Sequence, residues 1–307
     1  MRLIIGICTY NRNSLLKELL DCLHSQEGLP ENVLLDIVVC DNNPKPISKS
    51  LLTRGEIYIH EPNPGIVHAR NSILAYGISN KYDALIFLDD DEIVNSHFVH
   101  TYIEGFYKFK KPAFIAAPVS PIINTEKYST PWLDATFCYK PAIRESGCLS
   151  DKSIVGSGNV MINLGFLSSY KITFNQEFNV SGGEDALFFF EIQKKGGQGF
   201  WLADAEAKER LNSNRYTYSY FKERNFSLAC AGVRAYRFAY GYIPTIKKWL
   251  IKAVLHIGIS VPLLCAGIMN NKSRYKGIEH LYVGIGQICG LMNIKLRPYI
   301  QNNTCNK

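Results

Sequence analysis

Short apolar runs separated by helically spaced segments make up the first third of the chain. Aliphatic residues cluster at 3–8 (Leu-Ile-Ile-Gly-Ile-Cys), 34–40 (Leu-Leu-Asp-Ile-Val-Val-Cys), 56–60 and 84–88 (Ala-Leu-Ile-Phe-Leu). Between them, Leu15, Leu16, Leu19, Leu20 and Leu23 share one face of a helix predicted over 14–25, and a second helix is predicted over 66–78. Strand, helix, strand, helix reads as parallel βαβ units. Runs that are apolar almost throughout imply strands covered on both faces. The expected fold class is therefore α/β with a mostly parallel central sheet. Ligands of such sheets bind beyond the carboxyl ends of the strands, so polar residues that directly follow a strand are the ones to inspect.

Three of the four runs end in such residues. Thr9-Tyr10-Asn11-Arg12 follows the first, Asp41-Asn42-Asn43-Pro44 the second and Asp89-Asp90-Asp91-Glu92 the fourth. The middle of the chain, 112–210, mixes short strands with loops. A helix is predicted over 185–195 from the spacing of Leu187, Phe188, Glu191 and Ile192. It is opened by Gly182-Gly183-Glu184-Asp185 and stopped at Gly196-Gly197. From about 211 aromatic and basic residues interleave, as in Tyr218, Tyr220, Phe221, Lys222 and Arg224. An apolar stretch follows from Trp249 to Met269, interrupted by Lys252, His256 and Pro262, and then a Gly-rich stretch over 277–293.

Composition narrows the picture. With 307 residues, 47% hydrophobic and 20% charged, the chain is an ordinary folded protein of one large or two smaller domains. The net charge of +7 suits nucleic acid, anionic lipid or a phosphate-bearing substrate. The aromatic and basic stretch adjoins apolar rather than further basic sequence, which favours a membrane surface and no nucleic acid. Nine scattered cysteines, Cys138 and Cys305 among them, form no CxxC pair. They read as free thiols of a reducing compartment and not as a zinc site. The apolar run at 3–8 is too short for a secretory signal, so the N-terminus is expected in the cytosol.

Each cluster has a chemical and a bland reading. Four consecutive carboxylates at a strand end repel one another, and a hard divalent cation relieves that repulsion. In an extended segment Asp89 and Asp91 would face one site together. A solvated acidic turn is the alternative. Asp41 at its strand end can accept hydrogen bonds from a base or a ribose, or can simply close a turn. Gly65 lets backbone approach a ligand, and Arg70, in the helix behind it, can reach a phosphate or base. Glu184 and Asp185 at a helix start satisfy the helix dipole or supply a general base. There is no GxxxxGK[ST], complete GxGxxG, HExxH or GxSxG pattern.

Taken together these residues resemble family 2 glycosyltransferases of the GT-A fold, in order, over about 1–215. Gly6-Ile7-Cys8-Thr9-Tyr10-Asn11-Arg12 resembles the opening strand of that family, and Leu19 to Gln26 its leucine-rich helix ending in Gln. Asp41-Asn42 resembles the acid that contacts uracil. Asn63-Pro64-Gly65 through Ala69-Arg70-Asn71 resembles its Asn-x-Gly and Ala-Arg-Asn. Leu88-Asp89-Asp90-Asp91 resembles the DxD metal motif, Gly183-Glu184-Asp185 the Glu-Asp motif, and Glu209 with Arg215 a downstream pair of bacterial exopolysaccharide transferases.

The resemblance implies an inverting transferase that uses a nucleotide-diphosphate sugar, favouring UDP, with Mg²⁺ or Mn²⁺ held by Asp91 and Asp89. It implies Asp185 as the base that deprotonates an acceptor hydroxyl, with Glu184 beside it. It assigns donor binding to Thr9, Tyr10, Asn11, Arg12, Asp41, Asn63, Gly65, Arg70, Asp89, Asp90 and Arg215. The Gln-x-x-Arg-Trp motif of processive members is absent, which points to addition of a single sugar. The expected domains are 1–215, catalytic, and 216–307, helical. Basic residues flank the apolar stretch on both sides (Lys247, Lys248 and Lys252; Lys272, Arg274 and Lys276). That favours helices lying in the interface over a crossing. The expected location is peripheral, on the cytoplasmic side of the cell membrane, with a glycan or lipid-linked acceptor. The rivals are a sugar-phosphate nucleotidylyltransferase and a non-catalytic binding module or membrane-surface scaffold.

Overall fold

The computed structural model describes residues 1–46, 48–124, 132, 145–149 and 154–296. Cys138 and Cys305 lie outside them. The seven described cysteines are free thiols, with Cys40 and Cys230 buried and Cys148 and Cys265 exposed.

The elements follow the apolar pattern closely. The chain runs β1 (Arg2–Thr9), α1 (Asn13–His24), β2 (Leu34–Asp41), β3 (Ile57–His60), α2 (Ile66–Ser79), β4 (Ala84–Asp89), β5 (Glu92–Val94) and α3 (Phe98–Lys108). Short pieces come next: β6 (Phe114–Ala116), β7 (Val119–Ile122), β8 (Gly147–Cys148), β9 (Val160–Asn163), α4 (Leu164–Tyr170), α5 (Glu184–Lys194), β10 (Gly199–Trp201) and β11 (Ala207–Arg210). Three long helices end it: α6 (Tyr218–Tyr240), α7 (Tyr242–Ala266) and α8 (Asn271–Leu291).

Contacts divide the chain into two units. The first is drawn from Met1–Ser120, Pro141–Asn179 and Phe188–Arg210, the second from Pro121–Lys140, Val180–Leu187 and Leu211–Lys307. In the first unit an eight-stranded sheet has the order β3-β2-β1-β4-β9-β6-β10-β8. β3, β2, β1 and β4 are parallel, while β9 runs antiparallel to both β4 and β6. Alternation along β1 divides the core. Leu3, Ile5 and Ile7 join the cluster that includes Leu16 and Leu19 of α1 and Phe98 and Tyr102 of α3. Ile4 joins the opposite cluster, with Ile73 of α2, Leu167 of α4 and Phe189 of α5. Each fully buried aliphatic side chain contributes about 1.5–3 kcal/mol.

The second unit contains α6, α7 and α8. Its aromatic residues pack mainly on one another. Tyr216 and Phe221 are buried, and Tyr218 lies 5.5 Å from Trp132 and 5.9 Å from Tyr275 between ring centres. α7 continues through Pro262 instead of breaking there. Glycines of α8 bring backbones together. A side chain at Gly286 would meet the Phe226 carbonyl of α6 at 2.4 Å, and one at Gly284 would meet the Ala253 carbonyl of α7 at 3.1 Å.

Candidate active site

Strand register brings the three polar clusters to one edge of the first unit. Thr9, the last residue of β1, pairs with Asp41, the last of β2. On the other side of β1, Cys8 pairs with Asp89, the last of β4. Asp41 in turn pairs with His60, the last of β3. This is the carboxyl edge, where parallel α/β sheets place their ligands.

The acidic cluster is a turn with its own counter-ions. Asp90 and Asp91 turn the chain from β4 into β5, so the alternation expected of an extended segment does not govern them. Arg12 lies just before α1. Its Nη1 donates to Asp90 Oδ1 and to Asp91 Oδ2, each at 2.9 Å. Asp90 also accepts from the Thr9 hydroxyl at 2.8 Å. Arg70 is buried rather than superficial. Its Nη2 lies 3.5 Å from Asp89 Oδ1 and its guanidinium sits over the Phe174 ring.

Two more acids complete the cluster. Glu92 is buried and accepts from the Asp89 amide. Glu209 of β11 stands opposite Glu92 in register. Burial, then the charges of Asp89 and Glu209, push the Asp91 carboxyl up to about 7 against the pull of Arg12. Burial also raises Asp90, and Arg12 opposes that rise. Gly158 leaves room beside the acids: a Cβ there would lie 2.9 Å from Glu92 Oε1 and 3.0 Å from Asp89 Oδ2. Among the described residues no group of three or more His, Cys, Asp or Glu converges as a metal cage.

Asp41 is fully buried and well supplied with donors. Oδ1 accepts from the backbone and side chain of Asn43, and Oδ2 from the Ser48 amide and the Tyr58 hydroxyl. Burial and that last bond push Tyr58 up to about 12. Asn42 works as a staple: its amide donates to the carbonyls of Glu61 and Asn63 and accepts from Gly65 N–H. Asn63 donates twice to Glu61. Gly65 has φ +123°, and a side chain there would collide with Asn179, which bonds both Pro64 and Val67. Tyr10 is exposed, and Asn11 takes the left-handed region at φ +54° where β1 leaves the sheet.

In the second unit, Glu184 and Asp185 form the first turn of α5, behind Gly182 and Gly183, both with positive φ. Glu184 is buried, and Asp185 Oδ1 accepts from the Ala186 amide. Arg215 lies in a 3₁₀ turn, where its amide bonds the Asn212 side chain.

Several residues that hold the site together are ordinary polar side chains in the sequence. Gln26 bonds the carbonyls of Cys22 and Asn95 and the Val99 amide, joining α1 to α3. Asn159 is buried between Tyr102, Pro118 and Ala205. Asn71 clasps both backbone groups of Phe174, the residue under Arg70. Gln26 and Asn71 stand inside the motifs quoted above, whereas Asn159 stands in none of them.

Known proteins share this architecture. The mannosyltransferase PcManGT from Pyrobaculum calidifontis, solved with GDP-Man and Mn²⁺, superposes with a TM-score of 0.60 at 16% identity, over 95% of this chain and 88% of that one. S. aureus TarS 1-349 in complex with UDP-GlcNAc gives 0.55 at 12% identity, over 94% and 91%. At such identities they establish the GT-A fold. The succinoglycan biosynthesis protein ExoM of Rhizobium meliloti (strain 1021) is 27% identical over 235 residues, 72% of this chain and 71% of that protein. The family described as Glycosyl transferase family 2 matches residues 4–172, the stretch that carries β1 through β9 and the acidic edge. By that match the chain belongs to glycosyl transferase family 2 and is a glycosyltransferase.

Proposed function

We propose that the chain transfers a sugar from a nucleotide-diphosphate donor, probed first as UDP, to a hydroxyl of a glycan or lipid-linked acceptor in cell-surface polysaccharide assembly. The observation that carries this reading is the convergence of Thr9, Asp41 and Asp89 on one sheet edge beside a buried acidic turn. ExoM, by its name a succinoglycan biosynthesis protein, supports the polysaccharide context. The catalytic domain spans 1–215 and the helical region 216–307.

The acidic turn suits a hard divalent cation, Mg²⁺ or Mn²⁺. Asp91 is held near neutrality by burial and like charge, and added positive charge relieves that. Such ions use one or two carboxylates together with substrate phosphates and need no all-protein cage. Asp91 and Asp89 would hold it, and bound there it offsets charge on a departing diphosphate.

The chain's own residues do the rest. Arg12 and Arg70 offset the carboxylates and bind donor phosphate. Asp90 is oriented by Thr9 and Arg12. Tyr10, Asn11, Asn63 and Gly65 border the donor, with the loop of the last two stapled by Asn42. Asp41, oriented by its own donors, contacts the base. Asp185, with Glu184 beside it, takes the acceptor proton, and Arg215 supports the leaving group. One displacement inverts the anomeric configuration. The enzyme works peripherally at the cytoplasmic membrane face; α7, long and apolar enough to cross a membrane, supports membrane contact as such.

Calorimetric titration of UDP, GDP and dTDP, each with Mn²⁺ and with EDTA, tests the reading on wild type and Asp91→Ala. The expected result is metal-dependent binding of one nucleotide, lost in the variant. Well-folded protein that binds none of them would sink it.

A further inference from the structure

The second unit turns small residues inward and large apolar ones outward. On α8, Gly284 meets Ala253 and Ile257 of α7, Gly277 meets Leu264, and Gly286 and Gly290 press on backbone carbonyls of α6. Meanwhile Ile251, Val254, Leu255 and Val261 of α7 stand more than half exposed, and Ile268 and Met269 beyond it are 87% and 96% exposed. A helix packed for water hides its apolar stripe against its neighbours. Contact through small residues with apolar side chains facing out is how helices pack in lipid.

Basic residues gather at the seam between α7 and α8, beside this apolar face. Lys252 and His256 are four residues apart on α7, and Lys276 and His280 are four apart on α8, the spacing that stacks side chains on one helix face. The glycine contacts make the two helices antiparallel. Nδ1 of His256 lies 2.9 Å from Nδ1 of His280, which joins the two pairs across the seam. The lysines therefore flank the histidines from opposite ends. α7 contains no Asp or Glu, and the one carboxylate of α8, Glu279 beside His280, is buried. We propose that Lys252, His256, Lys276 and His280 form a recognition stripe for lipid headgroup phosphate, reading anionic membrane while the α7 face enters the interface.

The inference rests on the peripheral membrane reading above and adds the ligand and its residues. Two ammonium groups and two imidazoles supply donors and no fixed negative charge, which suits a phosphate. The bordering apolar face selects a phosphate carried by lipid. The pair is also pH-sensitive. Burial, the partner ring and Lys252 hold His256 below the ordinary histidine range, and burial and Lys276 hold His280 there. Lys252 acts on the pair from α7 and Lys276 from α8, and the neighbouring carboxylate of Glu279 is buried. A bound phosphate supplies the opposite charge and favours protonation, so acidification tightens lipid binding.

Co-sedimentation of the full chain tests this with vesicles of phosphatidylcholine alone and of equimolar phosphatidylcholine and phosphatidylglycerol. Wild type should prefer the anionic vesicles, and the preference should strengthen as pH falls below the ordinary histidine value of about 6.5. Lys252→Gln with Lys276→Gln should weaken anionic binding about tenfold or more, and more than Lys247→Gln with Lys272→Gln, which removes equal charge outside the stripe. His256→Asn with His280→Asn should keep the preference and lose its pH dependence. Equal losses from the two lysine pairs, or no pH dependence in wild type, would overturn the stripe and leave the membrane reading intact. Release by inorganic phosphate at constant ionic strength would overturn lipid as the source. Failure to bind either vesicle would remove the membrane reading itself.

Discussion

Nη1 of Arg12 lies 2.9 Å from Oδ2 of Asp91, a contact that spans 79 positions of sequence. The same nitrogen holds Asp90, so one cation keeps two adjacent buried carboxylates in place. Arg12 is more exposed than either acid, with its side chain 39% accessible against 5% and 7%. It is the movable partner. Arg12→Ala should raise the titration midpoint of Asp91 above its present value of about 7. Carboxyl NMR of the wild type and variant reads this directly.

Asp91→Asn should stabilise the protein and abolish its activity. The folded pKa of Asp91 is raised from the ordinary 3.8 to about 7. Its protonated form therefore contributes stability that is fully present below about 4 and lost as pH rises through about 7. The neutral amide escapes that loss. The variant's Tm advantage should be absent at pH 4, grow towards pH 7 and stay constant above. A variant less stable than wild type at pH 8 would contradict the assigned shift.

Asp185→Asn should separate chemistry from donor binding. As the proposed base, Asp185 contributes on the order of 10²–10⁴-fold to turnover. Sugar transfer should fall by that factor while calorimetric nucleotide binding stays within error of wild type. Loss of nucleotide binding together with turnover would move Asp185 into the donor site.

Gly65→Ala carries two faults at once. φ at this position is +123°, and the new methyl would occupy the space of the Asn179 amide. Strained backbone of this kind costs about 1–3 kcal/mol, so the urea midpoint should fall accordingly. Asn179→Ala in the same chain should recover part of the loss by opening that space.

Asn42→Ala should loosen the loop behind β2. It leaves the Gly65 amide and the carbonyls of Glu61 and Asn63 without their present bonds, a loss of about 1–3 kcal/mol. Hydrogen exchange should rise first at Gly65, ahead of the β1 and β2 core. Uniform exchange through both would mean the staple is not local.

The apolar pattern was enough to predict the strands of the parallel half, the helices α1 and α2, and the edge on which the candidate site lies. Apolar runs such as 3–8 and 84–88 have a single stable disposition, buried between helices, and polar residues directly after them must emerge at the carboxyl edge. The ordered motifs also made the family legible before any coordinates.

Tertiary structure alone decided the charge balance of that edge. Asp90 and Asp91 share Arg12, Asp89 meets Arg70, and Glu209 reaches the cluster by pairing β11 with β5. Those neighbours lie tens of residues away, and periodicity carries no information on which distant side chain ends beside which. The bonds to Asp41 from Asn43, Ser48 and Tyr58 are local, 2, 7 and 17 positions away, but they form only once the chain behind β2 folds back over its strand end. The His256–His280 pair was hidden as well, and exists only because glycines let α7 and α8 lie close enough for two imidazoles to meet.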